Sequence, residues 1–284
     1  MPQKTILITG INGYLGSHIA IALRQHYQII GLEVDPNNMF RLKDKNFKVY
    51  EASREGIENA FQKNKIEGII HTATFYGRQN ESIKILARAN LFIPFDILDL
   101  AIMSGCKFFI NTDTVLDRFV STYALTKRHF QEWLYLRRNE IKVVNMQLEH
   151  FFGPGCSNTN FVTSMIEHLK RNERSIDLTA GEQCRNFIYI DDIISAYQMV
   201  IDRLDDIKEA YSVYQVATSE LISIKEIMVF LKEHTKSSSI LNFGAIPYRE
   251  NELMQSHIDN SALIELGWTP ENSIRDGLIK TING

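Results

Sequence analysis

The sequence predicts an α/β fold in which a doubly wound parallel sheet is followed by a smaller C-terminal lobe. Short apolar runs, which suit strands buried on both faces, alternate with helical periodicity from the first residues onward. The pattern changes after the breaker cluster at 153–155, beyond which the elements are shorter and mixed. A chain of 284 residues suffices for a large domain and a smaller one. We therefore expect a sheet domain over residues 1–150, to which some later segments return, and a smaller lobe mainly over 151–284.

The individual elements follow from the same patterns. The apolar run Thr5–Thr9 predicts the first strand, and the periodic stretch after the glycines predicts the first helix. Strands that alternate with helices imply right-handed crossovers and a parallel sheet. In chain order, the expected strands are 5–9, 28–34, 47–50, 68–71, 107–111 and 142–148, and the expected helices are 14–24, 82–104 and 121–138. In the lobe we expect helices over 160–171, 192–204 and 223–234, with Ser223 as N-cap, and strands over 187–190 and 212–217.

Composition argues against several classes of function. The net charge is −3, so there is no basic face of the kind that binds nucleic acid. The longest apolar runs fall well short of a membrane span, and Met1–Lys4 leads straight into the first strand without an apolar signal region. We therefore expect a cytoplasmic protein with no membrane partner. Cys106, Cys156 and Cys184 lie far apart without metal-ligand spacing, so we expect neither a metal site nor a disulfide.

The segment between the first strand and the first helix is a G-x-x-G-x-x-G turn. Gly10 permits the tight turn, Gly13 lets the backbone approach a pyrophosphate, and Gly16 lets the helix pack on the strand. The N-terminus of the helix then faces the phosphates with free N–H groups. The alternative is a loop that only connects two elements. Its position between strand and helix favours dinucleotide binding, and with it a Rossmann-type sheet.

The end of the second strand bears on the choice of dinucleotide. Glu33 lies where an acidic residue holds the adenosine ribose, and its carboxylate would accept bonds from both ribose hydroxyls and repel a 2′-phosphate. This favours NAD(H). Asp35 is a competing acid, and Glu33 could also be a solvated surface residue. Arg41 would favour NADP(H) if the following loop folds back, so the sequence leaves the two cofactors open.

Tyr123 and Lys127 are the candidate catalytic pair. At a spacing of four they share one face of the helix that follows the fifth strand, near the carboxyl end of the sheet. The spacing itself is weak evidence, because chance alone would nearly supply one such pair. A nearby ammonium would favour the phenolate and lower the tyrosine pKa, which suits proton transfer. The alternative is a surface contact, and the upstream glycine turn favours catalysis.

Polar residues follow the predicted fifth strand. A hydroxyl at this point could hydrogen-bond a reacting carbonyl or carbinol beside Tyr123. Thr112 is the first candidate and Thr114 the second, while a simple turn is the alternative.

Together these residues resemble the extended short-chain dehydrogenase/reductase family (NAD-dependent epimerases and dehydratases), and the resemblance covers nearly the whole chain. It implies a catalytic triad of Thr112, Tyr123 and Lys127. The implied cofactor contacts are Gly10, Gly13, Tyr14, Leu15, Gly16, Glu33, His71, Ala73, Asn90 and Lys127. The implied substrate contacts are Phe75, His150, Asn160, Arg185 and Arg249. The two arginines suit a diphosphate because guanidinium offers a rigid fork of donors, although surface ion pairing is their alternative role.

Within the family, the chain looks most like the CDP-abequose synthases and related 4-ketoreductases. The segments that carry this likeness are 71–77, 111–113, 126–130, 144–150, 153–155 and 243–254. Two residues depart from the wider family, since His150 and Asn186 stand where it often has Asn and Asp. His150 is either a replacement donor to the substrate or a satisfied buried histidine. The segment between Thr112 and Tyr123 is also short, so we expect some substrate-lobe contacts of the family to be missing.

The resemblance implies reduction, with NAD(H) or NADP(H), of the 4-keto group of a nucleotide-linked deoxysugar. The expected substrate is a CDP- or dTDP-linked 4-keto-6-deoxy or 3,6-dideoxy hexose, used in surface-polysaccharide biosynthesis. Dehydration is disfavoured because Thr114 stands where dehydratases of the family have a second carboxylate. A 4-epimerase with bound NAD is the alternative, and a non-catalytic dinucleotide sensor is a further one. By resemblance we also expect a homodimer formed through the long helix at 82–104 and the Tyr123 helix.

Overall fold

The structure is a computed structural model that describes residues 3–250 and 252–284. Of the predicted N-terminal segment, Met1 and Pro2 lie outside the described residues. The strands are β1 (Thr5–Thr9), β2 (Gln28–Glu33), β3 (Lys48–Glu51), β4 (Ile66–His71), β5 (Phe108–Thr114), β6 (Lys142–Leu148), β7 (His150–Phe152), β8 (Ser175–Leu178), β9 (Cys184–Arg185), β10 (Phe187–Tyr189), β11 (Tyr211–Val216), β12 (Ile222–Ser223) and β13 (Ile240–Phe243). The helices are α1 (Tyr14–Leu23), α2 (Arg54–Lys63), α3 (Ile83–Ala87), α4 (Ile93–Met103), α5 (Thr122–Leu136), α6 (Phe161–Lys170), α7 (Ile190–Asp202), α8 (Ile224–Thr235), α9 (Ser261–Glu265) and α10 (Ile274–Asn283).

A seven-stranded sheet with the order β11-β6-β5-β4-β1-β2-β3 forms the centre of the fold. The neighbours from β6 to β3 pair in parallel, as strands joined by helical crossovers must. The chain moves outward from β1 in one direction to β3 and then returns to build β4, β5 and β6 on the other side. This reversal confirms the predicted doubly wound α/β fold, and it places the carboxyl ends of β1 and β4 side by side, where such folds bind ligands.

The described chain divides into two compact units. One comprises the residues up to Leu148 together with Val200–Tyr214, and the other comprises Glu149–Met199 together with Gln215–Gly284. The first unit has a continuous apolar core between the sheet and its helices, with Leu7, Ile69 and Phe109 wholly buried. The second contains three two-stranded pairings, β10-β7, β12-β9 and β13-β8. A substrate-binding role for the second unit stays a prediction.

Two predicted boundaries differ from the structure. The fifth strand was expected to end at residue 111, but β5 continues to Thr114, because residues 108–114 all pair with β6. The predicted helix 82–104 is present as α3 and α4, joined by a π-helical turn over Arg88–Phe92. Such turns are frequent at functional sites, and Asn90 lies at the centre of this one.

Helix capping agrees with the sequence at one predicted position. Ser223 accepts a hydrogen bond from the Glu226 N–H, and the Glu226 side chain bonds back to Ser223, which forms a complete capping box. Helix α2, which the sequence patterns did not predict, is capped by Ser53 in a similar way. Among the helices of the described chain, none is long and apolar enough to cross a membrane.

Candidate active site

The glycine turn is packed so tightly that two of its positions admit no side chain. Gly10 has a φ of +64°, and a Cβ on it would lie 2.9 Å from the Cα of Ala73. A Cβ on Gly16 would lie 2.2 Å from the carbonyl oxygen of Gly10. Contacts this short with backbone atoms require the backbone to move. The turn therefore keeps its shape only with glycine, as a close approach of strand, helix and ligand requires.

The N-terminus of α1 is suited to a pyrophosphate. Its N-cap is Gly13, which has no side chain to bond the first N–H groups of the helix. The first turn, Tyr14–Ser17, carries no acidic side chain in this described helix, so the positive end of the helix dipole is not neutralised locally. Donors and dipole together fit the phosphates of a dinucleotide. This agrees with the predicted roles of Gly13, Tyr14, Leu15 and Gly16, which stay proposals.

Glu33 and Arg41 both lie beside this turn. The Glu33 carboxylate accepts hydrogen bonds from the N–H of Asn12 at 3.0 Å and from the N–H of Val34 at 2.9 Å. The following loop folds back, because the Asn12 amide donates to the carbonyl of Asn38 at 2.8 Å and accepts from the Arg41 N–H at 3.0 Å. The Arg41 guanidinium lies 5.2 Å from the centre of the Tyr14 ring. The loop thus folds back, as an NADP(H) contact by Arg41 requires, and Glu33, the carboxylate expected for NAD(H), lies beside the same turn.

The segment after β4 is joined to the end of β1 by hydrogen bonds. Thr9 Oγ1 lies 2.7 Å from His71 Nδ1 and accepts from the Ala73 N–H at 3.1 Å, while the Thr72 hydroxyl donates to the Thr9 carbonyl at 2.7 Å. His71 is wholly buried, and this burial, assisted by the charge of Lys127, holds its pKa well below the usual value. His71 is therefore a neutral residue that joins the end of β4 to that of β1 through Thr9, and its role toward the cofactor, like that of Ala73, stays a proposal.

Asn90, in the π-helical turn, holds the next part of this segment. Its Oδ1 accepts from the Phe75 N–H at 2.8 Å, and its Nδ2 donates to the Phe75 carbonyl at 2.8 Å and to Thr126 Oγ1 at 3.0 Å. The side chain is buried, and both ends of its amide are engaged by protein. We therefore propose that Asn90 shapes the segment through Phe75 rather than contacting the cofactor itself. The ring of Phe75 is exposed.

Tyr123 and Lys127 lie on α5 as predicted, but their electrostatics differ from the expectation. The pKa of Tyr123 is raised above its usual range, chiefly by burial and then by Tyr76 and Asp113. The nearby Thr74 hydroxyl and Arg78 act in the opposite direction. The expectation of a lowered Tyr123 pKa is therefore wrong for this structure.

The reason for this difference lies in the surroundings of the two side chains. The ring of Tyr76 covers that of Tyr123, with 4.8 Å between their centres, and the Arg78 guanidinium lies 4.5 Å from the Tyr76 ring centre. This stack covers one side of the phenol, whose residue is half-buried. Lys127 is buried, its pKa is lowered by that burial, and the charge that opposes the lowering is Asp113. Lys127 is thus electrostatically coupled to Asp113 more than to the phenol.

Thr112 and Thr114 lie inside β5, not after it. Side chains alternate along a strand, so these two threonines share one face while Asp113 points to the other. Asp113 is buried, accepts hydrogen bonds from the Asn145 side chain at 2.7 Å and from the Thr114 N–H at 2.8 Å, and has a pKa raised mainly by burial. A role of Thr112 beside Tyr123 stays a prediction, with Thr114 as the second candidate.

In the second unit, two of the predicted substrate residues are held by protein groups. Asn160 is the N-cap of α6, with its Oδ1 accepting from the Val162 and Thr163 N–H groups and its Nδ2 donating to the Phe151 carbonyl at 2.9 Å. Arg185 is largely buried and forms an ion pair with Glu252. The alternative of ion pairing is thus present for Arg185, in a buried setting. Both residues stay candidates for substrate contact.

The other predicted residues of this unit are accessible. Arg249 and His150 are exposed, so the alternative of a satisfied buried histidine does not apply to His150. Asn186, which departs from the wider family, is fully buried and donates to the Thr218 carbonyl and hydroxyl and to the Glu220 carbonyl. A carboxylate could not donate these bonds. The asparagine is therefore explained by the local structure.

Sequence reasoning missed three residues of functional interest. Asn12 links the glycine turn to the loop that carries Arg41, and its position inside the motif was the available signal. Tyr76 and Asp113 contribute to the environment of Tyr123 and Lys127, but both lie on other elements, Tyr76 after β4 and Asp113 in β5. Only the resemblance, through segments 71–77 and 111–113, pointed toward them.

The sheet, the glycine turn and the Tyr123–Lys127 pair together define a dinucleotide-dependent enzyme. The profile of the NAD dependent epimerase/dehydratase family matches residues 6–217. CDP-abequose synthase of Salmonella typhimurium is 32% identical over 289 residues, covering 97% of this chain and 96% of that protein. CDP-abequose synthase of Yersinia pseudotuberculosis is 26% identical, covering 88% of this chain and 90% of that protein. The chain belongs to the NAD dependent epimerase/dehydratase family.

Solved structures agree with this assignment at the level of the fold. UDP-glucuronic acid 4-epimerase from Bacillus cereus superposes with a TM-score of 0.85 at 20% identity, covering 98% of both chains. UDP-glucose 4-epimerase from Thermotoga maritima superposes with a TM-score of 0.83 at 22% identity, covering 98% of this chain and 97% of that one. The family membership makes NAD(H) or NADP(H) the cofactor, and the choice between them stays open.

Proposed function

We propose that the protein reduces the 4-keto group of a nucleotide-linked deoxysugar with NAD(P)H. The relatives at 32% identity are named CDP-abequose synthases, which supports modification of a nucleotide sugar in sugar biosynthesis. The proposed substrate is a CDP- or dTDP-linked 4-keto-6-deoxy or 3,6-dideoxy hexose. The observation that carries the proposal is the placement of Tyr123 and Lys127 on one face of α5, with the Tyr76 ring stacked on the phenol and the Tyr123 pKa raised by burial.

A proton-bearing tyrosine favours the reductive direction. The bound cofactor would supply a hydride to C4, and the developing alkoxide must then receive a proton. Tyr123 would donate that proton, while the Thr112 hydroxyl would hydrogen-bond the carbonyl oxygen. Buried Lys127 would hold the nicotinamide ribose, with Asp113 as its counter-charge. An epimerase begins instead by taking a proton from the C4 hydroxyl, for which the tyrosine must first be ionised.

Dehydration is disfavoured by the residues that follow Thr112. The Asp113 carboxylate is engaged by Asn145 and the Thr114 N–H, which leaves it poorly placed for proton transfer to a sugar. The next position is Thr114, a hydroxyl that cannot act as the second carboxylate. Reduction is therefore the reaction that these residues support best.

The proposed substrate contacts lie mainly in the second unit. Arg185 and Arg249 are the candidates for the diphosphate, and Asn160 and Phe75 complete the set from the resemblance. Binding through Arg185 would require a diphosphate oxygen to share or replace the carboxylate of Glu252. Glu252→Gln should therefore change the affinity for the free nucleoside diphosphate, and calorimetry measures that change directly.

We also propose that two copies of the chain associate. Apolar side chains are exposed on the helical segment 83–103 and on α5, where water contact is unfavourable. They are Ile83, Ile85, Phe92, Met103, Trp133 and Leu136. Sedimentation of the purified protein tests this, with a homodimer expected. Trp133→Glu should shift the protein toward the monomer, because a charge would be buried at the contact.

An assay of NADH and NADPH against a panel of 4-keto nucleotide sugars tests the reaction itself. We expect the reduced cofactor to be consumed in proportion to the sugar reduced, and its absorbance measures this consumption. Interconversion of sugars without cofactor consumption would instead identify an epimerase. No reaction across the panel, with cofactor still bound, would identify a non-catalytic dinucleotide-binding protein.

A further inference from the structure

A buried carboxylate lies at the start of the second unit, between β6 and β7. The side chain of Glu149 has no exposed surface. Its Oε1 accepts a hydrogen bond from Gln215 Nε2 at 2.8 Å, and the same Nε2 donates to the His257 carbonyl at 2.9 Å. The Gln215 oxygen accepts in turn from the Asp259 N–H. One half of the carboxylate is therefore fixed by a chain of hydrogen bonds.

The other half of this carboxylate is unsatisfied. Oε2 of Glu149 is buried and has no hydrogen-bond partner among residues 3–250 and 252–284. A buried carboxylate oxygen without a donor is costly, so such an atom calls for an explanation. His150 Nδ1 lies 3.6 Å from it, just beyond hydrogen-bonding distance. A small rotation of the imidazole would close this gap, and catalytic hydrogen bonds are often long before substrate binds.

His150 presents its ring to solvent. Its side chain is 40% exposed, and the ring centre lies 5.5 Å from that of Phe187, which supports one side of the imidazole. With Nδ1 turned toward Glu149, Nε2 is the nitrogen left for a ligand. The pair thus combines an accessible ring with a buried group that determines which nitrogen carries the proton.

We propose that Glu149 is a positioning residue that fixes the Nδ1–H tautomer of His150, so that Nε2 accepts a hydrogen bond from a hydroxyl of the sugar. This inference rests on the proposed nucleotide-sugar reaction. It assigns to His150 a sugar contact rather than a diphosphate contact. A neutral imidazole with its proton on Nδ1 offers only an acceptor at Nε2, and phosphate oxygens are acceptors too. The adjacent carboxylate also repels a diphosphate.

A second histidine–glutamate pair in the same unit provides a matched control. His168 Nδ1 lies 2.6 Å from Glu173 Oε2, closer than in the His150 pair. Both side chains are more than a third exposed, and Arg171 also pairs with Glu173. This carboxylate is exposed and already pairs with a guanidinium, so its pair with His168 should contribute little. Glu173→Gln therefore removes the same chemical group without the proposed effect.

Nitrogen-15 NMR of the histidine side chains tests the tautomer without any substrate. The chain has eight histidines, and a His150→Phe spectrum identifies the signals of His150 by their loss. At about pH 8, where histidine is mostly neutral, we expect the Nδ1–H form in the unaltered protein. In Glu149→Gln the amide nitrogen would face Nδ1, so the proton should move to Nε2. An Nε2–H form in the unaltered protein, or no change in Glu149→Gln, would overturn the proposal.

Kinetics then separate sugar contact from diphosphate contact. With a CDP-linked 4-keto-3,6-dideoxyhexose, Glu149→Gln should raise KM by up to about tenfold, because the hydroxyl must turn to accept from the Nε2–H form, with kcat nearly unchanged. The affinity for CDP alone should not change, because CDP lacks the deoxyhexose and its hydroxyl at C2. Glu173→Gln should alter none of these values. An unchanged KM, or an equal loss of CDP affinity, contradicts the assignment.

A second variant covers the case in which Glu149→Gln does not fold. His150→Phe removes the nitrogens at an exposed position and keeps the ring beside Phe187, so folding should be preserved. It should raise the sugar KM by at least the same factor, and an unchanged KM would overturn the proposal. If the unaltered protein turns over no nucleotide sugar, the proposed function fails, and the NMR measurement still decides the Glu149 assignment.

Discussion

The glycine turn and the surroundings of Tyr123 differ in how their properties arise. In the turn, the decisive contacts join residues that are close in sequence, such as Gly10 and Gly16, with Thr72 and Ala73 added by the neighbouring strand. Around Tyr123 they all come from other elements, since Tyr76, in the segment after β4, covers the ring and Asp113, in β5, adds to the rise in its pKa. A local motif can therefore locate a binding turn and its function together. For a catalytic side chain, the motif gives the position, and the tertiary structure gives the protonation state.

The largest expected effect comes from removing the Tyr123 hydroxyl. Tyr123→Phe should lower kcat by roughly 10²–10⁴, the usual contribution of a positioned proton donor. The dissociation constant for NADH or NADPH should stay nearly unchanged, as measured by fluorescence titration. Tyr135→Phe alters an exposed tyrosine on the same helix and serves as the control. Equal activity of the two variants would contradict the catalytic assignment.

The next effect concerns the turn. Gly16→Ala places a Cβ 2.2 Å from the Gly10 carbonyl oxygen, so the backbone must shift. We expect the free energy of unfolding to fall by about 1–3 kcal/mol and the cofactor affinity to fall as well. Calorimetry measures both quantities. Gly105→Ala is the control, because its Cβ meets nothing within 4 Å in the described structure, although φ is +70°. That variant should lose stability but keep cofactor affinity.

A smaller effect is expected for the choice of cofactor. Glu33→Gln removes the charge that would repel a 2′-phosphate, so the ratio of kcat/KM for NADPH to that for NADH should rise about tenfold. Arg41→Ala should lower the same ratio, because the guanidinium beside Tyr14 is lost. Steady-state rates with both cofactors measure this. If neither variant changes the ratio of kcat/KM for the two cofactors, Glu33 and Arg41 do not determine the choice between NADH and NADPH.

The smallest effect concerns the pH dependence of Tyr123. Because the pKa of Tyr123 is raised, the folded protein keeps the phenolic proton at pH values above the usual tyrosine pKa of about 10. The rate of reduction should therefore hold through neutral pH and fall only as the phenol ionises at high pH. Tyr76→Ala exposes the ring and removes a group that raises the pKa, so the falling limb of kcat/KM should move to lower pH.

Tyr76→Phe keeps the ring and serves as the control for this shift. The pH profile of kcat/KM for Tyr76→Phe should lie closer to that of the unaltered protein than the profile of Tyr76→Ala does. If the two variants gave the same profile as the unaltered protein, the stack would have no part in setting the protonation of Tyr123.

The fold was largely predictable because parallel sheets leave a strong signal. Strands buried on both faces appear as continuous apolar runs, as in Ile6–Ile8, and the helices between them carry the period of 3.6. Helix α2 was missed because it is mostly polar, with Ile57, Ala60 and Phe61 as its buried residues. Strands β9 and β12 have only two residues each, too few to show any alternation.

The candidate site was predictable only in part. The glycines, Glu33, Tyr123 and Lys127 stand out by type and spacing. The role of Asn90 as a clamp on Phe75 depends on a π-helical turn that the sequence does not reveal. The burial of Lys127 beside Asp113 likewise depends on the register of β5 and α5. Residue types can be read from a sequence, whereas the partners of a buried charge come from tertiary packing.

The most direct test of the central claim follows the hydride. The unaltered protein is mixed at pH 7 with nicotinamide cofactor deuterated at the transferred position and a CDP- or dTDP-linked 4-keto deoxysugar, and the product is examined by NMR. We predict one deuterium at C4 of the sugar for each cofactor oxidised, with Tyr123→Phe unable to form this product at a comparable rate. A product sugar without deuterium at C4, or label that returns to the cofactor, would contradict the proposed reduction.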